Sequence, residues 1–188
     1  ILSIKELFNV CKVIDSDLSR LELYAVIMGK NQKETRKLLK KDGLFIVDPA
    51  MADHGKLYKG FDETYAEAMK ALCARADVAL PNITEAAMMA GIPYREDYDE
   101  AYIAALIQTL GGRDVVLTGV GYTPEETGIL VRTNGLLHHH VHAKVVKSYH
   151  GTGDIFASAT LGGLMRGLTP EEALTLAGDF TLEGMRLT

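Results

Sequence analysis

The stretch Asp77-Val78-Ala79-Leu80-Pro81-Asn82-Ile83-Thr84-Glu85-Ala86-Ala87-Met88-Met89-Ala90-Gly91 reads as a strand that runs straight into a helix. Asp77 to Leu80 is a short apolar run. It stops at Pro81, which has no N–H to give to a sheet. Asn82 is a residue type that caps helix starts. Thr84 to Ala90 reads as a short helix, and Gly91 closes it.

The same unit recurs on both sides. Downstream, Asp99 to Leu110 reads as a helix closed by Gly111-Gly112, and Val115-Val116-Leu117 as a buried strand ending in Thr118-Gly119. Upstream, Leu44-Phe45-Ile46-Val47 reads as a strand ending in Asp48-Pro49. Asp62 to Ala74 follows as a helix with Tyr65, Met69 and Leu72 on one face. Leu23 to Met28 and Gln32 to Lys40 read as one more strand and helix. Strands that are apolar throughout, alternating with helices, predict an α/β fold: a mostly parallel sheet covered by helices on both faces. Further on, Gly128 to Arg132 and Leu136 to Val146 flank Thr133-Asn134-Gly135. Asn-Gly between strand-like runs predicts an antiparallel edge hairpin. Two helices close the chain. One runs from Ile155 to Arg166. The other opens on Thr169-Pro170-Glu171-Glu172, which supplies a cap, a proline in the first turn and a glutamate three residues after the cap.

Bulk properties narrow the function classes. The chain has 188 residues, of which 47% are apolar and 24% charged, as expected of one globular domain spanning 1–188. A net charge of −5 and the lack of a basic stripe argue against a nucleic-acid partner. No apolar run is long enough to span a bilayer. Cys11 and Cys73 form neither a metal spacing nor a disulfide framework, so a reduced, cytoplasmic protein is the simplest expectation. The chain starts at Ile1, and the domain is expected to be incomplete at its N-terminus.

The chemistry-bearing residues sit where strands end. Asp48 with Asp53, Asn82 with Glu85, and Thr118-Gly119 each follow an apolar run. In open α/β sheets, ligands bind beyond the carboxyl ends of the strands. Gly151-Thr152-Gly153-Asp154 adds a tight turn that opens a helix, whose free N–H groups favour an anion. A carboxylate beside an anion cradle makes sense as a base that takes a proton from a hydroxyl during phosphoryl transfer. Carboxylate and amide oxygens near phosphates suit magnesium, whereas a zinc set of Cys and His is missing. Gly29-Lys30 lacks the glycine spacing of a P-loop. His138, His140 and His142 share one face of a strand and could bind zinc or nickel. The simpler expectation is a solvated hairpin strand outside the main crevice, with His150 a loop residue.

Three of these segments together resemble pyridoxal kinases of the ribokinase-like superfamily. They are Asp48-Pro49-Ala50-Met51-Ala52-Asp53-His54-Gly55-Lys56-Leu57-Tyr58, Pro81-Asn82-Ile83-Thr84-Glu85-Ala86 and Gly151-Thr152-Gly153-Asp154-Ile155-Phe156-Ala157. The resemblance runs from about Leu23 to near the C-terminus. It implies a ribokinase-like fold and ATP-dependent phosphorylation of the 5′-hydroxymethyl of pyridoxal or a related B6 vitamer. Asp154 would be the base, and the N–H groups of Gly151, Thr152 and Gly153 the anion hole. Asn82 and Glu85 would organise Mg2+, with Asp48 and Asp53 near the metal and the triphosphate. Thr118 and Gly119 would face the nucleotide, Lys144 and Val145 would border ribose and adenine, and Tyr58 would cover the nucleotide from a loop. A monovalent cation and a homodimer are further implications.

The sequence departs from the family pattern at several positions. Leu80 stands where threonine is common, and Gly119 where serine is common. Ala25-Val26-Ile27-Met28-Gly29 replaces a Ser-Gly-aromatic-Leu-Gly pattern. Nothing in Ile1 to Leu21 matches the family's first strand or its ring-binding segments. A hydroxymethylpyrimidine kinase of the same superfamily is the first alternative, although those enzymes usually carry Gly-Thr-Gly-Cys and lack the His-Gly-Lys-Leu-Tyr extension. A non-catalytic nucleotide-binding fragment is the second. A sugar kinase fits less well.

Overall fold

A computed structural model describes residues 46–110, 114–133, 136–145 and 151–187. The expected strand at Leu23 to Met28, the helix at Gln32 to Lys40, Cys11, Gly111-Gly112, Asn134-Gly135 and His150 lie outside the described residues.

Five strands form one sheet. They are β1 (Ile46–Val47), β4 (Val78–Ala79), β5 (Asp114–Thr118), β6 (Glu126–Thr133) and β7 (Leu136–Ala143), in that spatial order. β1, β4 and β5 run parallel. β6 pairs antiparallel with β5, and β7 antiparallel with β6. The parallel sheet with an antiparallel edge hairpin is therefore present. A second sheet of two short strands, β2 (Ala52–Asp53) and β3 (Lys56–Leu57), was not expected. Its turn, His54-Gly55, has positive φ at both residues (48° and 74°), the primed turn that matches strand twist.

Strand alternation sorts the core into two layers. Ile46, Val116, Ile129 and Val131 face one way. They pack on Phe156, Ala157, Leu174 and Ala177 of α4 (Thr152–Met165) and α5 (Pro170–Arg186). Leu117 and Leu130 face the other way, onto α2 (Ile83–Ala90) and α3 (Glu100–Leu110). Val47 joins that side through Met69 and Leu72 of α1 (Glu63–Cys73). Tyr65, Met69 and Leu72 thus share an inward face of α1, with Met69 and Leu72 fully buried. α4 and α5 cross closely, because Gly163 leaves only 3.0 Å between its would-be Cβ and that of Ala173.

The caps follow local chemistry. Asn82 caps α2 and Glu85 returns the bond, a full capping box. α2 accordingly starts at Ile83, one residue earlier than the sequence pattern predicts. Thr169 and Glu172 form the second capping box, at α5. α4 starts at Thr152, so Asp154 lies in its first turn. Among the described residues, no helix is long and apolar enough to cross a membrane.

Candidate active site

A cleft of about 560 Å³ opens at the carboxyl ends of β1, β4 and β5. Its size is within the range of small-molecule sites. It brings together Asp48, Asp53, Tyr58, Asn82, Glu85, Thr118, Gly119 and the whole Gly151–Asp154 turn. Lys144 and Val145, just past β7, are not among its lining residues. Lys144 is exposed, and its backbone N–H donates to Glu125 at 2.7 Å.

The start of α4 is left open by omission. Gly151 caps α4 in the left-handed conformation (φ 85°) and offers no side-chain oxygen to the helix N–H groups. A serine or aspartate there would satisfy one of them. Without it, the first-turn donors and the positive end of a 14-residue helix face the cleft. Asp154 stands beside them, exposed, and its Oδ2 would be 3.8 Å from a Cβ at Gly151.

Glu85 organises the opposite wall. It is 2% exposed. Its Oε1 accepts from the N–H groups of Met51 (2.8 Å) and Ala52 (3.3 Å), and its Oε2 from that of Asn82 (2.9 Å). The Asn82 amide donates to the Ala52 carbonyl at 2.8 Å. Thr84 accepts from the Gly55 N–H at 3.0 Å. These bonds fasten the β2–β3 hairpin to the start of α2. The hairpin in turn sets Asp53 and the half-exposed Tyr58 at the cleft. Ala50, also at the cleft, has φ 39°, a conformation disfavoured for alanine and typical of functional loops.

Two carboxyls at the cleft are held above their ordinary range. Burial pushes the Asp48 carboxyl up to about 6, the nearby Asp154 carboxylate adds to this, and the Ala50 N–H opposes it. Burial likewise pushes Glu85 up to about 7, against the pull of its three N–H donors. The described lining residues include no Lys or Arg. No group of three His, Cys, Asp or Glu among the described residues is placed to cage a metal. This donor set fits magnesium, which keeps most of its waters and shares substrate phosphates, and it does not fit a closed protein cage.

Both shifts have the same sign for stability. A carboxyl raised in the fold binds its proton more tightly there than in the unfolded chain. The stabilisation it gives is complete below about pH 4 and is lost as pH rises through about 6 for Asp48 and about 7 for Glu85. Asp48→Asn is expected to flatten the Tm-against-pH curve between about pH 4 and 7. Magnesium is expected to raise Tm of the parent more at about pH 7.5 than at about pH 5.5, since protons and the cation compete for the same oxygens.

Two sequence expectations change here. The histidines of β7 do not all lie outside the crevice: His142 lines it. It sits opposite Thr127 on the face turned to α5, where Gly178 leaves its Nε2 3.1 Å from a would-be Cβ. Gly119 is explained by its φ of 76°, where serine would be strained. Thr127, Gly178, Thr181 and Met185 also line the cleft and carried no sequence signal, apart from the cost of a glycine inside a helix.

Known proteins resemble this chain in sequence and in fold. A family model described as phosphomethylpyrimidine kinase matches residues 26–188. The crystal structure of pyridoxal kinase from Lactobacillus plantarum is 35% identical, with a TM-score of 0.66 over 74% of this chain and 51% of that one. The hydroxymethylpyrimidine/phosphomethylpyrimidine kinase of Bacillus subtilis is 28% identical over 146 residues, 76% of this chain and 54% of that protein. An ADP complex of Bacillus subtilis pyridoxal kinase is 25% identical, with a TM-score of 0.61 over 76% of this chain and 54% of that one. The chain spans about half the length of the curated relatives it matches first.

Proposed function

Starting from the fact that the chain belongs to the phosphomethylpyrimidine kinase family, with a ribokinase-like fold, we propose that it transfers the γ-phosphoryl group of ATP to the hydroxymethyl group of a B6 vitamer, pyridoxal or a close relative. The observation that carries this reading is the pairing of an uncapped α4 N-terminus with Asp154 in its first turn. A carboxylate at that place repels a phosphate unless it serves the alcohol that attacks it.

In this reading Asp154 accepts the proton of the hydroxymethyl oxygen. That oxygen forms a bond to the γ-phosphorus while the bond from phosphorus to the β-bridging oxygen breaks, and ADP leaves with the electron pair. The N–H groups of Gly151, Thr152 and Gly153 hold the charge that develops on the phosphoryl oxygens. Asp48, with Asn82 and Glu85 behind it, would hold Mg2+, which when bound supplies the charge that offsets the triphosphate. Tyr58 and Asp53 cover and border the triphosphate from the β2–β3 hairpin. Thr118 and Gly119 border the nucleoside from the cleft wall, and Lys144 and Val145, outside the cleft lining, would border it where it extends beyond the cleft. A homodimer in the cytoplasm completes the proposal.

A second reading, a hydroxymethylpyrimidine kinase, is favoured by the family description and by the Bacillus subtilis relative. Asp154 and the His54-Gly55-Lys56-Leu57-Tyr58 segment favour the B6 reading. The two acceptors both present a hydroxymethyl on a nitrogen heterocycle, so one assay separates them. ATP is supplied with each alcohol and the phosphate ester is sought by mass spectrometry. Pyridoxal phosphate as the major product supports the first reading. A pyrimidine ester alone replaces it with the second, and nucleotide binding with no ester from either leaves a non-catalytic module.

A further inference from the structure

The cleft wall at Thr118–Gly119 is held from outside by side chains that never touch the cleft. Gly119, Val120 and Gly121 form a turn between β5 and β6. Gly119 has φ 76°, and Gly121 has no room for a Cβ against the Glu126 carbonyl. The turn's backbone groups are satisfied in an ordered way. The Gly121 N–H donates to the Tyr98 hydroxyl at 3.0 Å. That hydroxyl reaches back to the Gly119 carbonyl at a longer 3.4 Å. The Val120 N–H donates to the Gly128 carbonyl at 3.1 Å, and the Val120 carbonyl faces His139 Nε2 at 3.4 Å.

Rings brace these contacts. Tyr98 stacks on Tyr102 (6.4 Å between centroids) and meets Tyr122 edge-on (6.3 Å), and Tyr122 meets His139 edge-on (5.5 Å). Tyr98 comes from the segment before α3 and His139 from β7, on the face opposite His142. Neither residue lines the cleft, whereas Gly119 does.

We propose that Tyr98, backed by Tyr122 and His139, is a positioning residue that clamps the Gly119–Gly121 turn and so fixes the wall against which a nucleotide is bound. The clamp rests on the reading of the cleft as a nucleotide site. One hydroxyl spans both ends of the turn, so its loss frees a backbone N–H and a carbonyl together. Glycine adopts either sign of φ readily, so Gly119 has little conformational preference of its own and the contacts around it select this one.

The test compares two hydroxyl deletions in the same ring cluster. Tyr98→Phe keeps the ring and removes the clamp. Tyr102→Phe removes a hydroxyl that donates to the Pro93 carbonyl at 2.9 Å, away from the turn. ADP with magnesium is the probe, and dissociation constants are read by calorimetry alongside amide exchange of Val120 and Gly121. Tyr98→Phe is expected to weaken ADP by about three- to tenfold, the value of one net hydrogen bond, and to speed exchange at Gly121. Tyr102→Phe is expected to leave both as in the parent. Equal weakening by both variants, or none by Tyr98→Phe while the parent binds ADP, overturns the clamp alone. A parent that does not bind ADP overturns the nucleotide reading and the clamp with it.

Discussion

Asp154→Asn is expected to lower turnover by about 10²–10⁴-fold while leaving the ADP dissociation constant within about threefold of the parent. The amide has nearly the shape of the carboxylate but cannot take a proton from an alcohol. The cap of the helix that presents it is unchanged, because Gly151, and not Asp154, occupies the cap position. Loss of the negative charge near Asp48 also removes one of the causes that raise the Asp48 carboxyl. Asp48 in the variant should therefore titrate at lower pH, a shift readable by NMR without any turnover. Steady-state rates and calorimetry on one preparation check the first pair of claims. Turnover equal to the parent's would remove Asp154 from the role of base.

Glu85→Ala is expected to cost about 3 kcal/mol or more of unfolding free energy. Three backbone N–H groups, those of Met51, Ala52 and Asn82, lose their acceptor, and each buried unsatisfied donor costs about 1–3 kcal/mol. Glu85→Gln should fall between, since an amide oxygen still accepts but its NH2 group confronts a donor. The penalty has a pH signature. With the Glu85 carboxyl raised to about 7 by burial, the parent loses this proton-linked stabilisation as pH rises from about 4.5 through about 7, so the gap between parent and Glu85→Ala narrows over that range. Urea unfolding at several pH values reads both effects. A loss below about 1 kcal/mol would mean that the hairpin is held to α2 by other contacts.

Much of the layout was legible because it rests on local chemistry. Asn82 and Glu85 stand three residues apart, the spacing of a capping box, and the cap is there. Asn-Gly marked the edge hairpin, and apolar runs marked the parallel strands. What Glu85 does beyond the cap was not legible, since Met51 lies 34 residues away and only the fold brings them together. The β2–β3 hairpin is two residues a side, too short for periodicity, although His54-Gly55 carries a turn signature. Strand alternation correctly put His138, His140 and His142 on one face. Which face met a helix depended on Ile129 and Val131 packing towards α5, and on Gly178 leaving room for His142. Lys144 and Val145 came from family resemblance alone, and the cleft lining does not reach them.

In the proposed reaction, Asp154 and the Gly151–Gly153 turn pass phosphate from ATP to a hydroxymethyl group. The most direct test is to incubate the chain with magnesium, pyridoxal and ATP carrying an ¹⁸O-labelled γ-phosphoryl group, and to follow the label by mass spectrometry. The expected product is pyridoxal phosphate that carries the labelled phosphoryl, formed with ADP in equal amounts and slowed by about 10²–10⁴-fold in Asp154→Asn. ATP that binds but yields no labelled ester, with pyridoxal or with hydroxymethylpyrimidine in its place, would rule this transfer out.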